Sequence, residues 1–345
     1  MGTEIDALSP QMDAAASRRR VLAGLGALAL AQWLPAAAAV APKRQIVDVH
    51  AHYYPPAVKE LGLPGPMNAW SLQSHMDAMA AAGVTRSILS LTTPGVPSIG
   101  ENGRALVRKS NEFAARTCAD HPGRFGFFVC IQPDDIEGSL QEIAYGLDVL
   151  KAQGIGLFTS YKDHWLGDPQ FDPLFAELER RRAIVYVHPT SAACCSRLIP
   201  GIADTIVEYG TDTTRAITSF VYRGAARKFP NVRMIWSHGG GSMPFLIERF
   251  DFADRSEAAR LQAPQGFRKA AARFFYDIAQ ASNPVATTAL RQVIPVDHIL
   301  FGSDYPFRTP LEHVQALEAG RVFSREELRG VYFQNAGHAL PELLA

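Results

Sequence analysis

Five residues whose side chains can bind a metal ion stand directly after short apolar runs of the sequence. They are His50, His52, His188, His238 and Asp304. His50 and His52 are two positions apart, so in an extended segment their imidazoles point to the same side. Three neutral imidazoles and one carboxylate suit Zn²⁺ and leave a position for water or substrate, whereas Mn²⁺ is less favoured but not excluded. The pattern predicts a site for one divalent metal ion.

His238 has a special setting, because three glycines, Gly239 to Gly241, follow it directly. Glycine lets the backbone come close to a ligand. A bound divalent ion lowers the pKa of its water and polarises carbonyl or phenolate oxygens. His238 could bind such an ion or act as a general acid or base, and spacing alone leaves both roles open.

Each of the five residues, taken alone, also has a purely structural explanation. A His or Asp after a strand can cap the next helix or satisfy a loop carbonyl. Five such residues at equivalent places in one fold are much harder to explain in that way. The other histidines lie in predicted helices or loops, where a solvated or packed side chain is the default: His75, His121, His164, His298 and His313.

The elements that must position these residues form a regular alternation of strands and helices. Apolar runs predict eight strands at 46–49, 87–91, 125–129, 155–158, 184–187, 232–236, 274–277 and 299–301. Apolar residues at three- and four-residue spacing predict helices at 72–82, 104–119, 138–151, 173–181, 213–228, 243–254 and 284–293, with a last helical region after residue 310.

Eight strand–helix units favour an α/β fold of the (β/α)₈ TIM-barrel type over an open doubly wound sheet. An open sheet would more often have fewer repeats and a glycine-rich phosphate turn after the first strand, where this chain has His50-Ala51-His52. Barrels of this type carry their reactive groups at the C-terminal ends of the strands. That is where all five metal-competent residues fall.

The motifs resemble those of the amidohydrolase superfamily, in particular the branch that contains aminocarboxymuconate semialdehyde decarboxylase and the aromatic-acid decarboxylases. The resemblance rests on His-x-His after the first strand, a His after the fifth, His-Gly-Gly-Gly after the sixth and Gly-Ser-Asp-Tyr-Pro after the eighth. It runs from about residue 47 to residue 345, and its most specific parts are DTTRAI at 212–217 and HGGGSMPFLIER at 238–249. The whole chain is most similar to the 6-methylsalicylate decarboxylase-like group.

The resemblance implies roles for the site residues. His50, His52, His188 and Asp304 match the metal ligands, and His238 matches the residue that orients water or transfers the proton. His238 and Asp304 are therefore the expected catalytic residues. Binuclear members of the superfamily use a carboxylated Lys from the fourth strand, and here that strand is followed by Thr159-Ser160. This difference supports a single metal ion.

Two further residues are candidates for binding the substrate. Arg249 matches an arginine that reaches into the neighbouring subunit and holds a substrate carboxylate, which implies a homodimer. A helix-surface ion pair is an equally good explanation of Arg249. The second arginine of the decarboxylase has no equivalent here, since no Arg occurs between Arg44 and Arg86, and His75 stands in its place.

The predicted reaction is the metal-dependent, non-oxidative decarboxylation of a small aromatic hydroxy acid, such as a 6-methylsalicylate-like compound. Its single carboxylate needs fewer arginines than the dicarboxylate aminocarboxymuconate does. A hydrolase of a lactone, ester or amide is the alternative, because a metal-bound hydroxide in the same site would attack such a substrate. A binding protein that has kept the fold without catalysis is disfavoured by the intact set of metal-competent residues.

The first 39 residues have the pattern of an export signal. Paired arginines within 18–20 precede an apolar run over 21–34, and small residues at 37–39 offer a cleavage site. We therefore predict a twin-arginine signal at 1–39, which would engage the Tat machinery transiently, and a barrel domain at 40–345. The protein would be periplasmic or otherwise exported, or membrane-anchored if the signal stays uncleaved.

Composition excludes some other classes of protein. Lys and Arg number 34 and Asp and Glu number 34, so the net charge is zero, and nucleic acid is not an expected partner. The expected partner is a small carboxylate molecule. Only four cysteines occur, without C-x-x-C spacing, so we expect free or buried thiols rather than a disulfide scaffold: Cys118, Cys130, Cys194 and Cys195.

Overall fold

Eight parallel strands form the centre of the described part of the chain. The structure is a computed structural model that describes residues 45–62, 66–93, 95 and 100–341. The strands of the sheet lie side by side in chain order. They are β1 (Ile46–His52), β2 (Val84–Ser90), β3 (Phe125–Cys130), β4 (Gly154–Phe158), β7 (Ile184–His188), β8 (Arg233–Trp236), β9 (Phe275–Asp277) and β10 (Ile299–Leu300).

Hydrogen bonds between β1 and the segment after β10 join the two edges of the sheet. Val49 N donates to Phe301 O (3.0 Å), and Asp304 N donates to His50 O (2.8 Å). A parallel bridge pairs Ala51 with Tyr305. These contacts confirm the predicted (β/α)₈ barrel and bring the ends of the first and last strands together.

Helices follow the strands, as the apolar spacing predicts. They are α1 (Pro56–Lys59), α2 (Leu72–Ala82), α3 (Glu101–Asp120), α4 (Ile136–Ala144), α5 (Asp172–Arg181), α6 (Asp204–Tyr222), α7 (Ala225–Lys228), α8 (Ile247–Ala253), α9 (Glu257–Gln262), α10 (Phe267–Ala271), α11 (Pro284–Arg291), α12 (Pro310–Gly320), α13 (Arg325–Arg329) and α14 (Asn335–Ala339). A π-helical turn, Tyr145–Val149, continues α4.

Local sequence explains where several of these helices begin and end. Ser71 caps α2 through a capping box with Ser74, and Gly83, in the left-handed conformation (φ 78°), ends it. Thr309 caps α12 in the same way with Glu312, and Pro310 occupies the first helical position. These signals fix the start of the helices that follow β1 and β10.

Apolar side chains pack in two layers. One layer lies inside the barrel, where seven of the eight strands contribute one or two residues each: Val47, Val49, Ile88, Phe128, Tyr186, Ile235, Phe275 and Leu300. The larger layer lies between the strands and the surrounding helices, with Trp236, Phe220 and Phe175 among its fully buried members. The inner layer forms the floor beneath the C-terminal ends of the strands.

Two features differ from the predicted elements. A short antiparallel hairpin, β5 (Ser160–Tyr161) and β6 (His164–Trp165), follows β4. Helix α6 begins at Asp204, nine positions before the predicted start at 213. Its first turns carry the exposed Ile206 and Val207 and the helix-disfavouring Gly210, so no buried apolar stripe marks them in the sequence.

The predicted export segment 1–39 lies outside the described residues. Within them, no helix is both long and apolar enough to cross a membrane. All four cysteines are free thiols. The absence of disulfides agrees with the expectation from their spacing.

Candidate metal centre and active site

Four imidazoles converge at the C-terminal end of the barrel, and each uses its Nδ1 to bond an oxygen behind it. His50 Nδ1 lies 2.9 Å from Asp277 Oδ2, and His52 Nδ1 lies 3.3 Å from Ser90 O. His188 Nδ1 is 2.8 Å from the carbonyl of the next residue, and His238 Nδ1 is 2.9 Å from the carbonyl of residue 279. Because carbonyl and carboxylate oxygens accept, Nδ1 carries the hydrogen in each ring, and Nε2 is directed into the centre.

The Nε2 atoms and one carboxylate oxygen crowd into a small space. His50 Nε2 lies 3.2 Å from His52 Nε2, and Asp304 Oδ1 lies 2.9 Å from His52 Nε2 and 3.2 Å from His50 Nε2. His188 Nε2 lies 3.8 Å from the same oxygen. With hydrogen on each Nδ1, the Nε2 atoms and Asp304 Oδ1 are all acceptors. At such short distances they repel one another unless a cation lies between them. A spacing of 3.2 Å matches two ligand atoms that are each about 2.1 Å from one ion.

The predicted metal ligands are thus brought together, with one ambiguity. Ligand atoms of His50, His188, His238 and Asp304 all lie within 4.8 Å of one another. The predicted set has His52 in place of His238, and His52 Nε2 is as close to the shared oxygen as any other ring nitrogen. His50, His188 and Asp304 belong to both sets. This donor set fits one divalent ion.

Burial and charge favour a cation at this centre. Burial disfavours the protonated form of His50, but the carboxylates of Asp277 and Asp304 outweigh it and raise its pKa to about 10. Burial lowers the pKa of His188 and of His238 to about 4, so these two rings are neutral at pH 7. Neutral imidazoles are the form that binds a metal ion.

A second layer of polar residues, which was not predicted from the sequence, hydrogen-bonds to the residues of the metal centre. Asp277 Oδ1 accepts from His238 N (3.2 Å) while its Oδ2 accepts from the His50 ring. Asp48 accepts from His50 N (3.1 Å) and from Ser303 N (3.0 Å) and Oγ (2.5 Å), and its burial raises its pKa to about 7. Asp277 ends the seventh strand of the sheet, so its position at a strand end was a signal that could have identified it.

A cavity of about 620 Å³ opens above the centre. Three residues of the centre line it: His188, His238 and Asp304. The other lining residues are Tyr54, Met67, Thr92, Thr93, Thr205, Ile206, Tyr209, Gly210, Gly241, Ser242, Gln280, Ala281, Ala286, Phe307 and Arg308. The walls are therefore apolar or neutral apart from Asp304 and Arg308, and His238 is only half-buried where His50 and His52 are fully buried.

The structure places His75 away from this cavity. His75 is fully buried, accepts from Trp70 Nε1 at Nδ1 (3.4 Å) and bonds Ser87 Oγ through Nε2 (3.2 Å). Its ring centroid is 4.6 Å from that of Tyr305. Burial lowers its pKa to about 3, so the ring carries no charge that could attract a carboxylate. These contacts describe a packing role for His75, and its contact with the substrate stays a prediction.

Arg249 does not line the cavity of its own chain either. It lies on α8, is exposed, and is flanked by two exposed aromatic residues, Phe245 (87% exposed) and Phe252 (68%). The arginine at the cavity is Arg308, whose Nε lies 3.2 Å from Glu312 Oε1.

Taken together, the centre can hold one divalent ion at the floor of a largely neutral cavity. His238 presents an unprotonated Nε2 beside it. The centre can polarise a substrate oxygen and move one proton. The walls of the cavity can enclose an apolar ring. Both decarboxylation and hydrolysis use such a set.

Comparison with known proteins places the chain among metal-dependent barrel enzymes. The family model described as amidohydrolase matches residues 47–341. Decarboxylase yanB of Aspergillus niger is 31% identical over 320 residues, covering 86% of this chain and 87% of its own. The 6-methylsalicylic acid decarboxylase of Penicillium expansum is 34% identical over 277 residues, covering 75% and 84%.

The fold has close counterparts among solved structures. The 5-carboxyvanillate decarboxylase of Novosphingobium aromaticivorans, solved with manganese and 4-hydroxy-3-methoxy-5-nitrobenzoic acid, has a TM-score of 0.74. It is 19% identical, and the match covers 86% of this chain and 96% of that one. At this identity the likeness concerns the fold.

Proposed function

The chain belongs to the amidohydrolase family, and from that premise we propose that it is a metal-dependent, non-oxidative decarboxylase of a small aromatic hydroxy acid, such as a 6-methylsalicylate-like compound. The relatives at 31% and 34% identity are named decarboxylases. The observation that carries the proposal for this site is the position of His238, a half-buried imidazole that lines a neutral cavity beside a centre built for one divalent ion.

We assign the metal site to His50, His52, His188 and Asp304, with His238 beside it. One divalent ion fits the donor set, and its abundance of imidazole favours Zn²⁺. Mn²⁺, which the 5-carboxyvanillate decarboxylase contains, is the alternative. When bound, the ion would act as a Lewis acid on the phenolate and carboxylate oxygens of the substrate.

The residues of the chain supply orientation and proton transfer. His238 donates its Nδ1 hydrogen to Ala279 O, so its Nε2 can accept the phenol proton of the substrate. Nε2 then delivers this proton to the ring carbon that bears the carboxylate. The bond between that carbon and the carboxylate breaks, its electron pair stays in the ring, and CO₂ leaves. The apolar walls, with Phe307 and Ile206, exclude water around the ring.

Hydrolysis of a lactone, ester or amide is the competing reaction of the same site. A panel of hydroxybenzoates, lactones, esters and amides offered to the metal-loaded protein separates the two. The proposal expects CO₂ in a 1:1 ratio with a phenol from the hydroxybenzoates and no turnover of the other classes.

We further propose that the protein acts as a homodimer in which Arg249 enters the partner's cavity. Arg249 is exposed between Phe245 and Phe252, a combination that suits a surface covered by a second subunit. Helix α6 has further exposed apolar residues at Ile206 and Val207. Gly210, one turn further along α6, contacts Gly241 and Ser242, so this part of α6 lies beside the rim of the cavity.

Export is a separate proposal that rests on the first 39 residues alone. The twin-arginine pattern would direct the folded, metal-loaded protein to the periplasm, with cleavage before Val40. Mass spectrometry of the protein recovered from cell fractions tests this. Replacing Arg18 and Arg19 by Lys is expected to retain the full-length chain in the cytoplasm.

A further inference from the structure

Three residues at the site share a backbone conformation that residues with a side chain rarely adopt. His238 (φ 52°), Gln280 (φ 51°) and Asp304 (φ 62°) are left-handed. The other five non-glycine residues with positive φ in the described ranges are not among those that line the cavity. Left-handed conformations persist where the surroundings hold them, and they cluster at functional sites. His238 and Asp304 have assigned roles, whereas Gln280 has none.

Gln280 contacts the carboxylate of Asp304 directly. Its Nε2 donates to Asp304 Oδ2. The other oxygen, Oδ1, faces the Nε2 atoms of His50 and His52. The amide of Gln280 therefore holds the carboxylate in an orientation in which the two oxygens have different surroundings.

His313 holds the backbone of Gln280 in turn. The Nε2 of this buried ring accepts from Gln280 N (2.9 Å), and its Nδ1 donates to Thr309 O (3.1 Å). Thr309 is the capping residue of α12, so the His313 ring connects the start of α12 to the backbone of Gln280. The two bonds require a neutral ring with hydrogen on Nδ1, a form that burial also favours because it lowers the pKa of His313.

We propose that Gln280, anchored by His313, is a positioning residue that makes Asp304 offer one carboxylate oxygen, Oδ1, to the metal ion. This inference rests on the proposed metal site. The hydrogen bond from Gln280 occupies Oδ2 and would keep this oxygen from binding the ion as a second ligand atom. A coordination position would then remain available for the substrate.

Loss of this hydrogen bond frees the Asp304 carboxylate to bind the ion with both oxygens. The ion would gain one ligand atom, and the position needed by the substrate would be filled. Removing a group that orients a metal ligand typically lowers activity about 10- to 100-fold. We expect kcat to fall by about this factor and KM to rise, because the substrate must compete with the added carboxylate oxygen, while the metal content changes little.

The test uses the full-length protein loaded with Co²⁺, whose visible absorption reports the number of ligands. Gln280→Asn is the main variant, because Asn tolerates the left-handed conformation but its side chain is one methylene too short to reach Asp304. Gln280→Leu is the second, and Gln170→Leu, at an exposed glutamine ahead of α5, is the matched control. The proposal predicts a weaker visible band and a lower kcat in both Gln280 variants and neither change in the control.

His313 provides a rescue experiment for the anchor. His313→Leu removes the acceptor for Gln280 N and is expected to weaken the same Co²⁺ band. His313→Gln restores an acceptor through its side-chain oxygen and is expected to return most of the band and of kcat. A merely structural role of His313 would lower the melting temperature of both variants without changing the spectrum.

Two results separate this inference from the proposed function. An unchanged Co²⁺ spectrum and unchanged kcat in folded Gln280→Asn protein overturn the positioning role, even if the enzyme decarboxylates hydroxybenzoates. A changed spectrum in a protein that releases no CO₂ supports the positioning role and rejects the proposed reaction.

Discussion

Among single side chains, His238 is the one on which the proposed chemistry depends most. It faces the cavity, its Nδ1 is fixed by Ala279 O, and its lowered pKa keeps it unprotonated. Removal of its Nε2 should therefore affect the reaction more than the metal. The same reasoning distinguishes His238 from His52, which is fully buried and does not line the cavity.

His238→Asn is expected to lower kcat by about 10²- to 10⁴-fold, the usual range for a lost general acid or base. Metal content, measured by plasma emission after gel filtration, should stay near one ion per chain. His164→Asn, at a half-exposed histidine in the β5–β6 hairpin, is the control. If the His238 variant lost its metal together with its activity, His238 would be a ligand and not the proton carrier.

A substitution at His75 can distinguish a packing role from a role in binding the substrate. His75→Phe keeps the ring but leaves Trp70 Nε1 and Ser87 Oγ without their partner. The free energy of unfolding in urea should fall by about 1 to 3 kcal/mol, with kcat and KM unchanged. A raised KM at unaltered stability would instead support the predicted contact between His75 and the substrate.

At the level of elements, helix α6 is hydrogen-bonded through Asp212 to the segments that surround the metal centre. Asp212, fully buried, accepts from Thr159 Oγ1 (2.5 Å), Ser160 Oγ (2.8 Å) and Trp165 Nε1 (2.6 Å). Thr159 N donates to His188 O, and Thr159 Oγ1 accepts from Thr190 N. One carboxylate thus joins α6, the end of β4, the β5–β6 hairpin and the segment that carries His188.

Asp212→Asn replaces one carboxylate oxygen by an amide NH₂ group. The hydrogens of this group would face the hydroxyl or indole hydrogens that the oxygen accepts in the wild type. The free energy of unfolding is expected to fall by about 2 to 4 kcal/mol, because buried groups lose charged hydrogen-bond partners. Asp251→Asn, at an exposed aspartate of α8, is the matched control. Equal urea midpoints for the two variants would show that Asp212 is not a structural junction.

The sequence predicts the elements better than the contacts between them. All eight strands are confirmed within a few residues, because buried parallel strands are continuous apolar runs. The hairpin after β4 is not predicted, since its two strands have two residues each and Trp165 is oriented by Asp212, which is distant in sequence. Asp277 stands at a strand end, which could have identified it, whereas Gln280 has no such signal because its partners, Asp304 and His313, are distant in the sequence.

At the level of the whole molecule, the site is incomplete if Arg249 acts across a dimer interface. Among the described residues that line the cavity, the one arginine is Arg308, and it is already bonded to Glu312. The net charge of zero gives no long-range attraction for anions. We therefore expect local groups to hold the substrate, namely the metal ion and, in the proposed homodimer, the partner's Arg249.

Mixing two inactive variants tests this arrangement. Arg249→Ala and His238→Asn, dissociated and reassociated at a 1:1 ratio, form mixed dimers in which one site has both residues intact. About half of the dimers are mixed and each has one such site, so activity should recover to about a quarter of the wild-type value. Light scattering should give twice the chain mass. No recovery in confirmed mixed dimers would assign Arg249 to the surface of its own subunit.

The central claim is that this metal centre removes CO₂ from an ortho-hydroxybenzoate. The most direct measurement is the turnover of 6-methylsalicylate in D₂O by the metal-loaded protein, with CO₂ and the phenol quantified together. We expect equal amounts of CO₂ and phenol, one deuterium at the carbon that bore the carboxylate, and loss of turnover on chelation with recovery when metal is restored. Failure of every hydroxybenzoate to release CO₂, while a lactone, ester or amide is hydrolysed at the same metal-dependent site, would contradict it.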